Sequence, residues 1–152
     1  MQNKPNPQML YADWSERIPQ EEAKHIRVSV FVDEQQFAAE NEFDKIDAVA
    51  WHLVLYSDNF PVAVARIYPT EEDGAWSIGR VAVSKECRGR GFGAFAVTEA
   101  EKQIVKLGGR KAVLSAQCRV QKFYEKLGYV PSGEIYLDEY CPHIHMEKEL
   151  LS

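Results

Sequence analysis

The chain is short of the features that would name a function class outright. Its 152 residues include three cysteines, Cys87, Cys118 and Cys141, and no C-x-x-C pair. An odd cysteine count with no secretory signal implies free thiols in a reducing compartment, so a cytoplasmic location is expected. No apolar run approaches the roughly 20 residues that span a bilayer, which argues against a membrane partner. Residues 1–8 are polar and carry prolines. They lack the apolar stretch of a signal peptide and read as a frayed terminus. Basic charge is not in excess: the net charge is −5, which disfavours nucleic acid as a partner. Internal repeats, low-complexity tracts and linkers are all missing, so residues 1–152 are expected to form one domain.

What the chain does have is ordinary globular chemistry, with 45% hydrophobic and 27% charged residues. His143-Ile144-His145 follows Cys141 closely. Residues two apart on a strand point the same way, but nothing else completes a ligand cluster, and no metal is expected.

The elements alternate in type, which predicts an α/β or α+β layer fold. Leu10 to Trp14 reads as a short strand. Pro19-Gln20-Glu21-Glu22 supplies the proline and acids that suit a first helical turn. Ala23, Ile26, Val30 and Phe31 then recur at helical spacing, predicting a helix to about Glu34. Residues 35–47 are polar and acidic and read as a loop or a broken second helix. From Ala48 to Val83 the pattern predicts three strands in an antiparallel meander, with turns at 57–59 and 69–74. A helix is predicted from about Phe92 to Leu107, with Ala96, Val97, Ala100, Ile104 and Leu107 on one face. Gly108-Gly109 stops it. A buried strand at 112–116 and a short helix at 120–127 follow. Strand pieces at 129–130 and 135–137 flank the Pro131-Ser132-Gly133 turn, and a final strand is predicted at 143–147. The strand–helix–strand unit from 76 to 116 implies one parallel crossover.

The most informative segment is Val81-Ala82-Val83-Ser84-Lys85-Glu86-Cys87-Arg88-Gly89-Arg90-Gly91-Phe92-Gly93-Ala94. A strand ends, a glycine-rich turn follows, and a helix begins with no acid in its first turn. The free N–H groups and positive dipole end of such a helix suit an anion. Glycines at 89, 91 and 93 let the backbone approach a pyrophosphate, and Arg88 and Arg90 add charge. A Walker loop is excluded because no Gly-Lys-Ser/Thr is present. A dinucleotide fingerprint fits poorly because position 94 is alanine and the preceding strand is not the first.

Arg88-Gly89-Arg90-Gly91-Phe92-Gly93-Ala94 resembles the R/Q-x-x-G-x-G/A motif of the GCN5-related N-acetyltransferase (GNAT) superfamily. Gln117 to Tyr129 resembles that family's N-x-x-A-x-x-x-Y-x-K-L-G-F block, with Gln117 in place of Asn and Val120 in place of Ala. More narrowly, segments 27–35, 44–47 with His52-Leu53, 78–81, 115–117 and 142–146 resemble the ElaA/YjcF-like branch. The resemblance implies a mixed sheet with antiparallel N-terminal strands, one parallel β-α-β crossover and helices on both faces. It implies acetyl-CoA as acyl donor. Val81, Ala82 and Val83 would lie along the pantetheine arm and acetyl carbonyl, and Arg88 to Ala94 around the pyrophosphate. Gln117 and Phe123 would also contact the coenzyme, and Tyr124 would lie near its sulfur.

The implied reaction moves an acetyl group from the thioester to a small-molecule or peptide amine. It needs a neutral amine held near the carbonyl, donors for the oxyanion and a proton for the departing thiolate. Backbone N–H groups around Val81 are candidates for the oxyanion, and Tyr124 for the proton, since a phenol near pKa 10 can donate to a thiolate of comparable basicity. The base is open among His52, His143, His145, Glu34, Asp44, Asp47 and a water relay. Glu34, Asp47, His52, Arg80 and His143 are candidates for the acceptor site. Arg80 would either bind an acidic acceptor group or pair with a carboxylate such as Asp47. A cysteine acyl-enzyme through Cys118 has no adjacent base, so direct transfer in a ternary complex is preferred. A non-catalytic acyl-CoA sensor on the same fold is the alternative. The oligomeric state is open; an apolar terminal strand can pair with a second copy in a homodimer.

Overall fold

The computed structural model describes residues 10–150; the expected frayed terminus at 1–8 lies outside them. Seven strands form one sheet in the order β1-β2-β3-β4-β5-β7-β6. Strands β1 (Leu10–Glu16), β2 (Trp51–Ser57), β3 (Phe60–Pro69) and β4 (Ala75–Val83) make the antiparallel meander. Helix α3 (Phe92–Lys106) then crosses to β5 (Lys111–Gln117), the one parallel neighbour.

Alternation along the central strands assigns their side chains to two faces. Val54, Val64 and Ala82 face Ala23, Ile26, Val30 and Phe31 of the first helical segment. Leu53, Leu55, Ala63 and Ala65 face Phe92 and Ala96 of α3. Helices therefore cover both faces, and the inner strands β2 and β3 are buried on both sides. The apolar stripe of α3 is the expected one except at Leu107, which lies just past the helix end.

The first helical segment departs from the expected single α-helix. It is α-helical over α1 (Glu21–Arg27) and π-helical over Val28–Glu34. The Gln35 N–H reaches back to the Val30 carbonyl, 3.0 Å away. Val28, Val30 and Val32 are β-branched and crowd a regular turn, and the wider turn accommodates them. Residues 35–47 are a broken element, with α2 (Ala39–Glu42) followed by a 3₁₀ turn at Lys45–Val49.

Beyond β5, a 3₁₀ turn (Cys118–Val120) leads into α4 (Gln121–Lys126). Two further expectations are corrected here. The pieces at 129–130 and 135–137 belong to one strand, β6 (Val130–Asp138), whose pairing with β7 (Cys141–Glu149) is irregular between Ser132 and Tyr136. The proline and glycine produce a bulge and not a turn. And β7 is not an edge: it lies between β5 and β6, so its backbone is already paired on both sides. The apolar edge of the sheet is β6, where Val130, Ile135 and Leu137 are exposed.

Candidate active site

β4 and β5 pair only from Ala75 to Ser77, opposite Lys111 to Val113. Beyond that point the two strands part, and a cavity of about 550 Å³ opens between them. Ile78 and Val81 line it from β4, Leu114, Ser115 and Gln117 from β5, and Tyr124 from α4.

A bulge aims β4 at this opening. Val64 pairs with Ala82 and Arg66 with Gly79, so Arg80 and Val81 together oppose a single residue of β3. Such a bulge leaves backbone outside the ladder. Arg80 takes φ +51°, a left-handed conformation that a non-glycine residue adopts only when its surroundings enforce it. Here they do. Its guanidinium is held by Glu42 at 3.0 Å and Asp44 at 3.3 Å, and it donates to the Glu42 carbonyl.

Arg80 belongs to a network of three arginines and three carboxylates. Buried Arg27 donates to Glu42 and Asp47, both at 2.9 Å. Arg66, also buried, donates to Asp44 at 2.7 Å and Asp47 at 2.9 Å. Burial pushes Asp47 upward, but bonding and charge from Arg27 and Arg66 outweigh it and hold the carboxyl at about 2. The expected Arg80–Asp47 pair is thus replaced by Arg80 with Glu42 and Asp44. Asp47 is engaged beneath the cavity and does not line it. Nor does His52, which is 1% exposed and donates from Nε2 to the Asp47 carbonyl at 3.0 Å. Burial lowers its pKa. These two candidates serve the scaffold.

At the end of β4, Gly89 and Gly91 adopt φ +77° and +81°. A Cβ on either would point into open space, and Gly91 caps α3 without a side-chain bond. The first turn of α3 holds no acid. Gly93 has a different reason: a Cβ there would sit 3.4 Å from both Phe123 and Val83, so glycine lets α3 approach α4 and β4. Phe92 is buried in the core, which leaves only its backbone for a ligand. Ala82 likewise faces the core under α1. Ala94 lies in the open first turn of α3, and Arg90 rests over the Phe92 ring at 4.9 Å. Arg88 is committed elsewhere. It pairs with Glu34 through both terminal guanidinium nitrogens and donates from Nε to the Val83 carbonyl. Glu34 is therefore tied to the loop and is not part of the cavity wall.

Tyr124 and His143 both reach the cavity. Tyr124 is 8% exposed, and burial raises its hydroxyl to about 12. Phe123 packs edge-on against it, with centroids 4.9 Å apart. Gln117 donates to Gln35 at 2.9 Å and accepts from Arg119. His143 is 6% exposed, with Nδ1 2.9 Å from the Cys141 carbonyl and the Tyr136 ring stacked on it.

Sequence reasoning missed Tyr136, Ser115, Arg66 and the contacts at 35–37. Tyr136 lies opposite His143 in the β6–β7 ladder and hydrogen-bonds Ser115. Reading Ile135-Tyr136-Leu137 and His143-Ile144-His145 as the two arms of a hairpin would have brought Tyr136 to this wall. At the far rim, Tyr140 stacks on Phe37 and donates to the Gln35 carbonyl.

Residues 15–150 match the acetyltransferase (GNAT) domain model. The chain belongs to the GNAT acetyltransferase family. It is 34% identical over 129 residues to the uncharacterized N-acetyltransferase YjcF of Bacillus subtilis, covering 84% of this chain and 91% of YjcF. It is 31% identical over 129 residues to ElaA of Escherichia coli, covering 83% of this chain and 84% of ElaA. These relatives assign it to the ElaA/YjcF-like branch. The crystal structure of E. coli ElaA superposes with a TM-score of 0.79 at 27% identity, covering 93% of this chain and 100% of that one. An acyl-CoA N-acyltransferase from Pseudomonas aeruginosa also superposes at 0.79, with 30% identity over 91% of this chain and 99% of that one. The chain is thus an acetyltransferase of GNAT type. Among the described residues no helix is long and apolar enough to cross a membrane, and no group of three or more His, Cys, Asp or Glu is placed to hold a metal.

Proposed function

We propose that this acetyltransferase moves an acetyl group from acetyl-CoA directly to an amine of a small molecule or peptide, in a ternary complex. The observation that carries the reading is the continuity of three features along one strand. The bulge at Arg80-Val81 opens β4 to the cavity, the parting of β4 and β5 makes a slot, and the strand runs on into a glycine turn with an unfilled helix start.

The chemistry follows that line. The α3 start and the positive-φ glycines suit a diphosphate, since a Cβ there would meet no protein atom and no acid repels the ligand. The pantetheine arm would run along Val81 to Val83. An N–H at the bulge is suited to the oxyanion that forms as the amine attacks the thioester carbon. Tyr124 is suited to the departing sulfur. With its hydroxyl raised to about 12, it stays protonated and acts as a hydrogen-bond donor to the developing thiolate, where an ordinary phenol was expected to pass its proton on. Cys118 has no adjacent base, which supports direct transfer over an acyl-enzyme. The free cysteines fit a cytoplasmic location.

Calorimetry with acetyl-CoA, followed by thiol release across an amine panel, tests the proposal. Binding with thiol release supports it. Binding without release from any amine supports the acyl-CoA sensor instead.

A further inference from the structure

The two buried histidines are locked in opposite tautomers by backbone carbonyls. A carbonyl oxygen only accepts, so the ring nitrogen facing it must carry the hydrogen. His52 faces the Asp47 carbonyl with Nε2, so its proton is on Nε2. His143 faces the Cys141 carbonyl with Nδ1, so its proton is on Nδ1. In the neutral ring the other nitrogen then holds a lone pair. For His143 that nitrogen is Nε2. It has no hydrogen-bond partner among the described residues. As His143 lines the cavity, its open nitrogen is available there.

We infer that His143 is the general base of the acetyl transfer, taking the amine proton on Nε2. The inference rests on the acyl-transfer reading above. The competing groups are occupied, misplaced or, like Asp138, exposed to solvent on β6. Glu42 and Asp44 line the cavity but give their lone pairs to arginines. Asp47 is held by two arginines. Glu139 accepts from the Ala38 N–H at the rim. His145 Nε2 is 2.7 Å from Glu147, outside the cavity lining. His143 is the one cavity histidine among the described residues. Its ring is fixed on one edge by Cys141 and on one face by Tyr136, with centroids 6.0 Å apart. A base held in one tautomer and one orientation loses no reorganisation at the moment of reaction.

The step balances as follows. The neutral amine forms a C–N bond to the thioester carbon, giving a tetrahedral oxyanion with a positively charged nitrogen. His143 Nε2 takes the nitrogen's proton. The carbonyl reforms as the C–S bond breaks, and the thiolate leaves hydrogen-bonded to Tyr124. His143 returns its proton to solvent, and the thiolate takes one from solvent on release.

The test uses acetyl-CoA with L-amino acids, 1,4-diaminobutane, spermidine and tyramine as acceptors. His143→Gln should lower kcat by on the order of 10²- to 10⁴-fold while acetyl-CoA affinity stays within about threefold, and added imidazole should partly restore His143→Ala. A kcat for His143→Gln within about threefold of wild type overturns the base and leaves acyl transfer standing. Bound acetyl-CoA with no thiol release in the wild type overturns both. Should the variants fail to fold, long-range ¹H–¹⁵N correlation on the wild-type protein reads the tautomers directly. His143 protonated on Nδ1 and His52 on Nε2 supports the inference; His143 protonated on Nε2 overturns it.

Discussion

Glu34 and Arg88, 54 positions apart, meet in a two-point ion pair with contacts of 2.6 and 2.5 Å. The pair joins the end of the π-helical segment to the first residue of the glycine turn. Bonding to Arg88 holds Glu34 below the usual carboxylate range. With side chains 40% and 34% exposed, the coupling should be small, about 0–1 kcal/mol. A double-mutant cycle of Glu34→Gln and Arg88→Ala in urea should return that value. Arg88→Ala should nonetheless weaken acetyl-CoA binding about tenfold, or about 1.4 kcal/mol, because it frees the turn and removes charge from the diphosphate end. Calorimetry checks this; unchanged affinity would confine Arg88 to the scaffold.

Asp47 makes stability depend on acid. Its carboxyl is held at about 2 against an ordinary 3.8, so the folded state binds the proton less readily than the unfolded chain. The stabilisation is present above pH 3.8 and is lost as pH falls through about 2. It amounts to about 2.5 kcal/mol. Urea unfolding at pH 5 and at pH 2 should reveal the loss, and Asp47→Asn should flatten it. At neutral pH that substitution should cost about 3 kcal/mol, since Arg27 and Arg66 lose a shared partner in a buried place.

Tyr124→Phe should separate turnover from binding. The ring keeps its packing on Phe123 and Tyr129, so stability should change by less than about 1 kcal/mol. Acetyl-CoA affinity should stay within about threefold, while kcat should fall by on the order of 10²-fold. Equal turnover would remove the hydroxyl from the reaction. Because that hydroxyl stays protonated to about 12, its ionisation should leave no break in the rate profile between pH 8 and about 10.

Gly91→Ala tests the turn. At φ +81° alanine should cost about 1 kcal/mol, a few degrees in thermal melting. The Cβ would occupy space that no protein atom fills, so acetyl-CoA affinity should fall more than stability does. A melting shift with unchanged affinity would mean that the diphosphate lies elsewhere.

The backbone plan was legible wherever local chemistry decides it. Glycine spacing, an acid-free helix start and the stripe on α3 are short-range signals, and they located the turn and the crossover; Tyr124 came from the resemblance of residues 117–129 to the family's block. Long-range pairing was not legible. Asp47 and Arg80 lie in a charged neighbourhood with several partners of each sign, and only the fold decides that Arg27 and Arg66 take Asp47. His52 looked like any strand histidine, because its burial depends on the 3₁₀ turn that delivers the Asp47 carbonyl. The bulge in β6 was hidden by Pro131 and Gly133, which signal a turn unless a neighbouring strand continues the ladder.

β7 comes later in the chain than both strands it separates, and this orders the birth of the protein. As the polypeptide emerges from the ribosome, the meander, the glycine turn and α3 can assemble while β5 and β6 still lack their common neighbour. His143 arrives with that neighbour. A nascent or prematurely terminated chain that stops before Cys141 would lack the strand that joins β5 to β6, and with it His143 of the cavity wall.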